Sequence, residues 1–142
     1  MSMLQLDLPG ARVLDLFAGS GALGLEALSR GARSAEFVER HPASLRALAA
    51  NVAALGAGEA AVVHRADALR FVADLAGGAF DVAFADPPYH EGLARAVAER
   101  WAAEPFARVL GIEHEAREAM PPDGATRRYG STAITIYRSS HA

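Results

Sequence analysis

The chain contains no cysteine among its 142 residues. It therefore offers neither a disulfide framework nor a thiolate metal site, and nothing indicates export to an oxidising compartment, so we expect a cytoplasmic protein. Lysine is absent as well, and all 14 basic residues are arginine. Together with the heavy use of alanine, this is typical of a biased base composition in the coding DNA.

The sequence also lacks long hydrophobic runs and any excess of positive charge. No segment approaches the roughly 20 apolar residues that span a bilayer, and residues 1–8 show no signal-peptide pattern, so we expect a soluble protein without a membrane partner. The formal net charge is −3 at pH 7. Binding to a nucleic acid would therefore need a local basic patch. The length suits one domain over residues 1–142.

Short apolar runs alternate with helical patterns along most of the chain. The pattern predicts strands at Arg12–Phe17, Ser34–Glu39, Ala61–His64, Phe80–Ala85 and Arg108–Glu113. It predicts helices at Ala22–Arg30, Ala43–Leu55, Asp67–Leu75 and Glu91–Trp101. The last segment reads as a hairpin of Ala125–Tyr129 and Thr132–Tyr137. This alternation predicts an α/β fold, with a mainly parallel sheet covered by helices on both faces and a carboxyl-terminal antiparallel hairpin.

A glycine-rich segment joins the first predicted strand to the first helix. Its sequence, Gly19-Ser20-Gly21-Ala22-Leu23-Gly24, fits G-x-G-x-x-G, and Glu39 follows about 20 residues later where a ribose-binding acid belongs. A tight turn without a ligand is the alternative. Asp15, near the strand end, would repel a pyrophosphate but attract the ammonium and sulfonium of S-adenosylmethionine. Asp15 could also cap the glycine turn through backbone N–H groups, and both roles could coexist.

Acidic residues fall at the carboxyl ends of four predicted strands, namely Asp15, Glu39, Asp67 and Asp86. This is the rim where open α/β sheets bind ligands. Glu39 can accept both hydroxyls of a ribose, and Asp67 can accept from an adenine amine while the N–H of Ala68 serves a ring nitrogen. An exposed acid at a strand end is ordinary when taken alone. Glu113, at the end of the fifth strand, could continue this series, but we interpret it as such a solvated edge acid.

The segment Asp86-Pro87-Pro88-Tyr89 follows the predicted buried strand Phe80–Ala85. Two prolines fix the backbone and force Asp86 into an extended conformation at the strand exit. A stiff turn that holds a carboxylate, carbonyl oxygens and an aromatic ring suits a flat ring with an exocyclic amine, such as a nucleobase. The alternative is a strand end closed by prolines, with Tyr89 packed on the core.

Other motifs exclude function classes. The histidines show no metal-ligand spacing, so we assign no metal, and we interpret His90 as an exposed loop residue. No G-x-S-x-G and no G-x-x-x-x-G-K-[ST] occurs, which argues against a serine hydrolase and a P-loop nucleotidase. Arg127 and Arg128 on the predicted hairpin form a candidate phosphate contact, with a solvated turn as the alternative.

Three segments together resemble the bacterial 16S ribosomal RNA guanine-N2 methyltransferases. They are the first motif from Val13 to Ala27, the segment Asp86-Pro87-Pro88-Tyr89, and Arg128-Tyr129-Gly130-Ser131-Thr132. The resemblance implies a Rossmann-like class I methyltransferase fold that uses S-adenosylmethionine. It also implies a substrate in ribosomal RNA or the assembling small ribosomal subunit.

The resemblance further implies a role for each matched position. Asp15, Gly19 and Gly21 would hold the methionine part of the cofactor, Glu39 the ribose and Asp67 the adenine. The cofactor-binding loop would also include Phe17, Ala18 and Ser20, and Ala68 would contribute beside Asp67. The catalytic segment would be Asp86, Pro87, Pro88 and Tyr89.

The chain departs from the family at its amino end, where members share a further basic segment rich in Arg, Thr and Ser. We therefore expect a truncated chain, a shortened gene product, or a catalytic core completed by another polypeptide. Three other functions stay open. They are a dinucleotide oxidoreductase, a methyltransferase acting on DNA adenine or protein glutamine, and a non-catalytic core that binds a cofactor or a partner. The Asp86 to Tyr89 segment counts against the oxidoreductase.

Overall fold

The computed structural model describes residues 2–140, so Met1 and residues 141–142 of the predicted domain lie outside the described residues. Its first five strands are β1 (Arg12–Leu16), β2 (Ser34–Glu39), β3 (Ala61–Arg65), β4 (Phe80–Ala85) and β5 (Ala107–Glu115). The carboxyl-terminal hairpin consists of β6 (Ala125–Tyr129) and β7 (Thr132–Arg138). The helices are α1 (Ala22–Ser29), α2 (Pro42–Ala54), α3 (Ala68–Ala73) and α4 (Leu93–Ala103), and a 3-10 helix covers Ser2–Asp7.

All seven strands belong to one sheet in the order β3-β2-β1-β4-β5-β7-β6. The pairs among β1 to β5 are parallel, whereas β7 runs antiparallel to both β5 and β6. The predicted α/β fold with its terminal hairpin is therefore confirmed. The strand order reverses between β1 and β4, and a crevice at the carboxyl ends of strands forms at such a reversal.

The sheet has a core on each face because successive side chains of a strand point to opposite sides. Leu14 and Leu16 belong to the core on the side of α3 and α4, where Val97 and Phe106 are also buried. Val13 belongs to the core on the other face, together with residues of α1, α2 and the 3-10 helix. Asp15 alternates with Leu14 and Leu16 and thus lies on the face of α1.

The structure differs from the sequence prediction mainly at element ends. Helix α4 begins at Leu93 rather than Glu91, because Gly92 adopts a left-handed conformation with φ of 70° at the helix start. Strand β5 runs to Glu115 because β7 pairs with it up to that residue. The 3-10 helix was not predicted. It forms where Leu4 packs into the core.

Candidate active site

A cleft opens at the carboxyl ends of β1 to β4. Its walls come from four separate connections, and the residues that line it include Phe17, Glu39, Asp67, Ala68, Asp86 and Pro87. Seven of the thirteen predicted cofactor and catalytic residues thus face one cavity, although they are far apart in sequence. The lining does not include Asp15, Ala18, Gly19, Ser20, Gly21 and Tyr89. The acidic lining favours a cationic ligand over a phosphate.

The glycine bend after β1 is held in place by Glu39 at the end of β2. Oε1 of Glu39 accepts from the N–H of Gly19 at 2.8 Å, and Oε2 accepts from the N–H groups of Arg40 at 3.0 Å and His41 at 2.8 Å. Phe17 has a left-handed φ of 56°, which is uncommon for a bulky residue and concentrates at functional sites. Glu39 therefore shapes the bend and lines the cleft at once.

Gly24 in α1 is required by close packing. A Cβ there would lie 2.4 Å from Cε1 of Phe37 and 3.2 Å from Oδ2 of Asp15. We expect Gly24→Ala to lower the free energy of unfolding by a net ~1–2 kcal/mol, because overpacking outweighs the gain in helix propensity. Urea unfolding measures this, with Gly58→Ala as the matched control, since a Cβ at Gly58 meets nothing within 4 Å. Equal stability of both variants would refute the packing argument.

Asp15 is buried with only 1% of its surface exposed. Its Oδ2 accepts from the N–H of Gly24 at 3.0 Å, so the capping role considered from the sequence is present. Phe37 and Phe84 flank it in the sheet register. Burial raises the pKa of Asp15 to about 7, against the bond from Gly24, and the charges of Asp86 and Glu39 raise it further. The predicted role of Asp15 in holding the methionine part of a cofactor stays a prediction.

This shift makes stability depend on pH in a defined direction. The pKa of Asp15 rises from 3.8 to about 7 on folding, so the folded protein binds the extra proton between these values. The free energy of unfolding that proton binding at Asp15 contributes is fully present below pH ~4 and is lost as the pH rises to ~7. We expect the stability advantage of Asp15→Asn over the wild type to grow across this range and then level off. Parallel urea titrations of the ligand-free proteins from pH 4 to 8 would test this, and superimposable pH profiles would refute it.

Asp67 and Ala68 form the start of α3 on the cleft wall. Asp67 is the N-cap, and its Oδ2 accepts from the N–H of Arg70 at 3.1 Å. Its Oδ1 pairs with Nη1 of Arg40 at 3.3 Å. Sequence reasoning missed Arg40 because it follows Glu39 in a loop without a motif. The predicted adenine contact of Asp67 and Ala68 stays a prediction, although both residues line the cleft.

Asp86 lies beside Glu113 because β4 and β5 pair in parallel. The register places Ala85 opposite Ile112, which brings the next residues, Asp86 and Glu113, side by side. Asp86 is on the cleft surface, yet partial burial raises its pKa to about 6, and a hydrogen bond and the charge of Glu113 add to the rise. Our interpretation of Glu113 as a solvated edge acid is therefore wrong. It is half-buried and part of a carboxyl pair.

The side chain of Tyr89 is anchored by its hydroxyl group. The hydroxyl donates to Oε2 of Glu113 at 3.4 Å and lies 3.0 Å from Oγ1 of Thr132. The contact with Thr132 joins two of the motifs on which the family resemblance was based, the segment Asp86 to Tyr89 and the start of β7. His90 follows as an exposed residue with a left-handed φ of 68°, and its Nε2 lies 2.9 Å from Glu115.

A second pocket shares Asp86 with the first one. Its lining includes Phe84, Asp86, Gly111, Glu113, Tyr129 and Ile134. Asp86 thus borders both cavities, and the second has an apolar wall with two carboxylates at one side. Such a pocket can hold a flat ring on its apolar surface while the acids accept from N–H groups.

Arg127 and Arg128 lie on the exposed edge strand β6. Their predicted contact with RNA phosphates stays a prediction. Within residues 2–140, no group of three or more metal-ligating side chains could hold a metal ion. In the same residues, no helix has the length and apolar character to cross a membrane.

Comparison with known proteins assigns the chain to a family. The family model described as "Conserved hypothetical protein 95" matches residues 1–138. The chain belongs to this family. A curated protein similar to this chain is "Ribosomal RNA small subunit methyltransferase D" from Escherichia coli (strain K12), which is 48% identical over 83 residues, 58% of this chain and 41% of that protein. "Putative rRNA methyltransferase YlbH" from Bacillus subtilis (strain 168) is 36% identical over 141 residues, 91% of this chain and 76% of that protein.

The chain is also similar in shape to solved structures. "Putative methyltransferase yhhF from Escherichia coli" has a TM-score of 0.82 at 32% identity and covers 96% of this chain and 80% of that chain. The family resemblance inferred from the motifs is therefore confirmed, as is the Rossmann-like methyltransferase fold. The match to the Escherichia coli methyltransferase D spans less than half of that protein's length.

Proposed function

We propose that this chain is an S-adenosylmethionine-dependent methyltransferase that modifies the exocyclic N2 of a guanine in small-subunit ribosomal RNA. The observation that carries the proposal is the position of Asp86 on the border of two cavities. One cavity suits a cationic nucleoside and the other suits a flat ring with N–H groups. A group transfer between two ligands requires such a shared border.

The cofactor fits the first cavity by charge and by donor type. Glu39 accepts from the ribose hydroxyls, Asp67 accepts from the adenine amine, and the Ala68 N–H serves a ring nitrogen. The glycine bend leaves backbone close to the ligand, and Asp15 contributes negative charge once it loses its proton. S-adenosylmethionine supplies a methyl group activated by the neighbouring positive sulfur. Because S-adenosylmethionine has no phosphate, it suits an acidic cleft better than a dinucleotide does.

The segment from Asp86 to Tyr89 holds the target amine. The Asp86 carboxylate and the Pro87 carbonyl accept from its two N–H groups, which draws the nitrogen lone pair out of conjugation and orients it toward the cofactor. Pro87 and Pro88 keep these acceptors fixed. The ring of Tyr89 stacks on the base, and its anchored hydroxyl sets the angle of the ring. As the nitrogen lone pair bonds to the methyl carbon, the carbon–sulfur bond breaks and S-adenosylhomocysteine is the leaving group. The Asp86 carboxylate then takes the proton that the methylated nitrogen releases, so alignment and exclusion of water replace a strong base.

The RNA enters with its target base outside a helix, because a base inside a duplex cannot reach the pocket. Looping out or flipping the base costs a few kcal/mol, which is least for a single-stranded nucleotide. Arg127 and Arg128 on β6 contact the phosphates next to the base. All of these parts lie in one domain over residues 1–142, and ribosomal RNA or the assembling small subunit is the partner.

A methyl-transfer assay with labelled cofactor tests this function. The substrates are small-subunit RNA and small subunits that lack methylation, and DNA is the control. After digestion to nucleosides, we expect the label in N2-methylguanosine and none in DNA. Label in DNA adenine or in protein, or binding of the cofactor without any transfer, would replace the proposal with one of the alternatives left open by the sequence.

A further inference from the structure

Glu113 is placed to contact the same base as Asp86. The two carboxylates follow paired positions of neighbouring parallel strands, which brings them side by side, and they line one pocket together. Tyr89 holds Glu113 from the side through its hydroxyl at 3.4 Å. The pocket therefore presents two adjacent carboxylate acceptors to a ligand. A ligand with only an amine would need just one of them, together with a backbone oxygen.

Nucleobases differ in whether the ring nitrogen next to the exocyclic amine donates or accepts a hydrogen bond. In guanine the N2 amine is adjacent to the N1–H, so the edge offers two neighbouring donors. In adenine and cytosine the atom next to the amine is a ring nitrogen that accepts, and in a glutamine side chain it is a carbonyl oxygen. Two ionised carboxylates match two donors, whereas a carboxylate opposite an acceptor leaves both unpaired and repels it.

We propose that Glu113 selects guanine by accepting from its N1–H while Asp86 accepts from the N2 amine. This inference rests on the proposed function and adds the residue that determines base specificity. Glu113 does not line the first cleft, so we expect its replacement to leave cofactor binding nearly unchanged. Its carboxylate also disfavours adenine, because the adenine N1 would face a negative oxygen at the same position.

The amide of glutamine removes this preference without changing the size of the side chain. In Glu113→Gln the oxygen or the NH₂ group can face the base, so the variant can donate to the N1 of adenine. We expect kcat/KM for guanine methylation to fall about 10- to 100-fold, because one charge-assisted hydrogen bond is lost. We also expect N6-methyladenosine to appear among the labelled nucleosides, while the Kd of the cofactor stays within about threefold.

Glu115→Gln is the matched control. Glu115 lies two residues further along β5 on the same face, and it pairs with His90 at 2.9 Å and with Arg117 at 3.6 Å instead of with Asp86. We expect this variant to keep wild-type rate and base selectivity. Thermal unfolding of both variants checks that the fold is intact. A wild-type rate with label only in guanine for Glu113→Gln, or an equal loss of cofactor affinity, would overturn the assignment.

A binding experiment separates this inference from the proposed function. Guanosine 5′-monophosphate and adenosine 5′-monophosphate are titrated in turn into the protein loaded with S-adenosylhomocysteine, and amide NMR signals are followed. We expect the guanine nucleotide to shift the signals of Asp86 and Glu113, and we expect Glu113→Gln to remove the preference over the adenine nucleotide. If RNA is not methylated but this preference holds, the function fails and the base specificity stands. If neither nucleotide is preferred, the inference is wrong.

Discussion

Replacing Asp86 with alanine should lower the rate of methyl transfer by about 10²- to 10³-fold, the loss typical of one removed group that stabilises charge at a reacting centre. The variant leaves the target amine with the Pro87 carbonyl as its only acceptor in the segment. The Kd of S-adenosylmethionine should change by less than about threefold, because Glu39 and Asp67 still hold the nucleoside. Single-turnover kinetics and calorimetric titration measure the two quantities separately.

Asp86→Asn provides the graded control for this result. The amide oxygen can still accept one N–H while the negative charge is lost, so we expect a rate between those of the wild type and the alanine variant. Both variants relieve the repulsion between Asp86 and Glu113, and neither should unfold more easily than the wild type. A parallel loss of cofactor affinity and transfer rate in the alanine variant would contradict the role assigned to Asp86.

Replacing Glu39 with alanine should weaken cofactor binding before it affects the transfer step. Two losses combine in this variant. The ribose hydroxyls lose a charged acceptor, and the N–H groups of Gly19, Arg40 and His41 lose the carboxylate that fixes the bend. We expect the Kd to rise about 10- to 100-fold, since a hydrogen bond to a charged group contributes about 1.5–3 kcal/mol. Saturating cofactor should restore most of the transfer rate.

A modified ligand distinguishes the two losses at Glu39. The wild-type protein should prefer S-adenosylhomocysteine over its 2′-deoxy analogue, and Glu39→Ala should bind both equally if the carboxylate accepts from that hydroxyl. Glu39→Gln keeps one acceptor oxygen, so its preference for the ribose form should lie between those of the wild type and Glu39→Ala. A preference for the ribose form that survives in Glu39→Ala would show that the residue only fixes the glycine bend.

The fold and the position of the cleft could be predicted because they depend on local patterns. Alternating strands and helices imply a parallel sheet, and the carboxyl ends of its strands meet at one edge. Glu39, Asp67 and Asp86 were predicted at these ends, and all three line the cleft. The glycine bend was predicted from its spacing between a strand and a helix, and Gly21 adopts a left-handed φ of 87°, which glycine tolerates best.

The remaining features depend on the register between strands, which the sequence does not reveal. Glu113 becomes a partner of Asp86 only because Ala85 pairs with Ile112, and a shift of one residue would turn it to the other face. The burial of Asp15 similarly depends on the flanking rings of Phe37 and Phe84. Placing Asp86, which follows β4, beside Glu113, near the end of β5, would have suggested this register. That alignment is the signal that could have identified Glu113.

A crystal structure of the protein with S-adenosylhomocysteine would test most directly whether the donor and acceptor sites meet at Asp86. We expect the adenine beside Asp67, the ribose hydroxyls on Glu39, and the sulfur facing Asp86 and the pocket of Glu113. A ligand bound elsewhere, or one in the cleft with its sulfur directed away from Asp86, would contradict the proposed transfer between the two cavities.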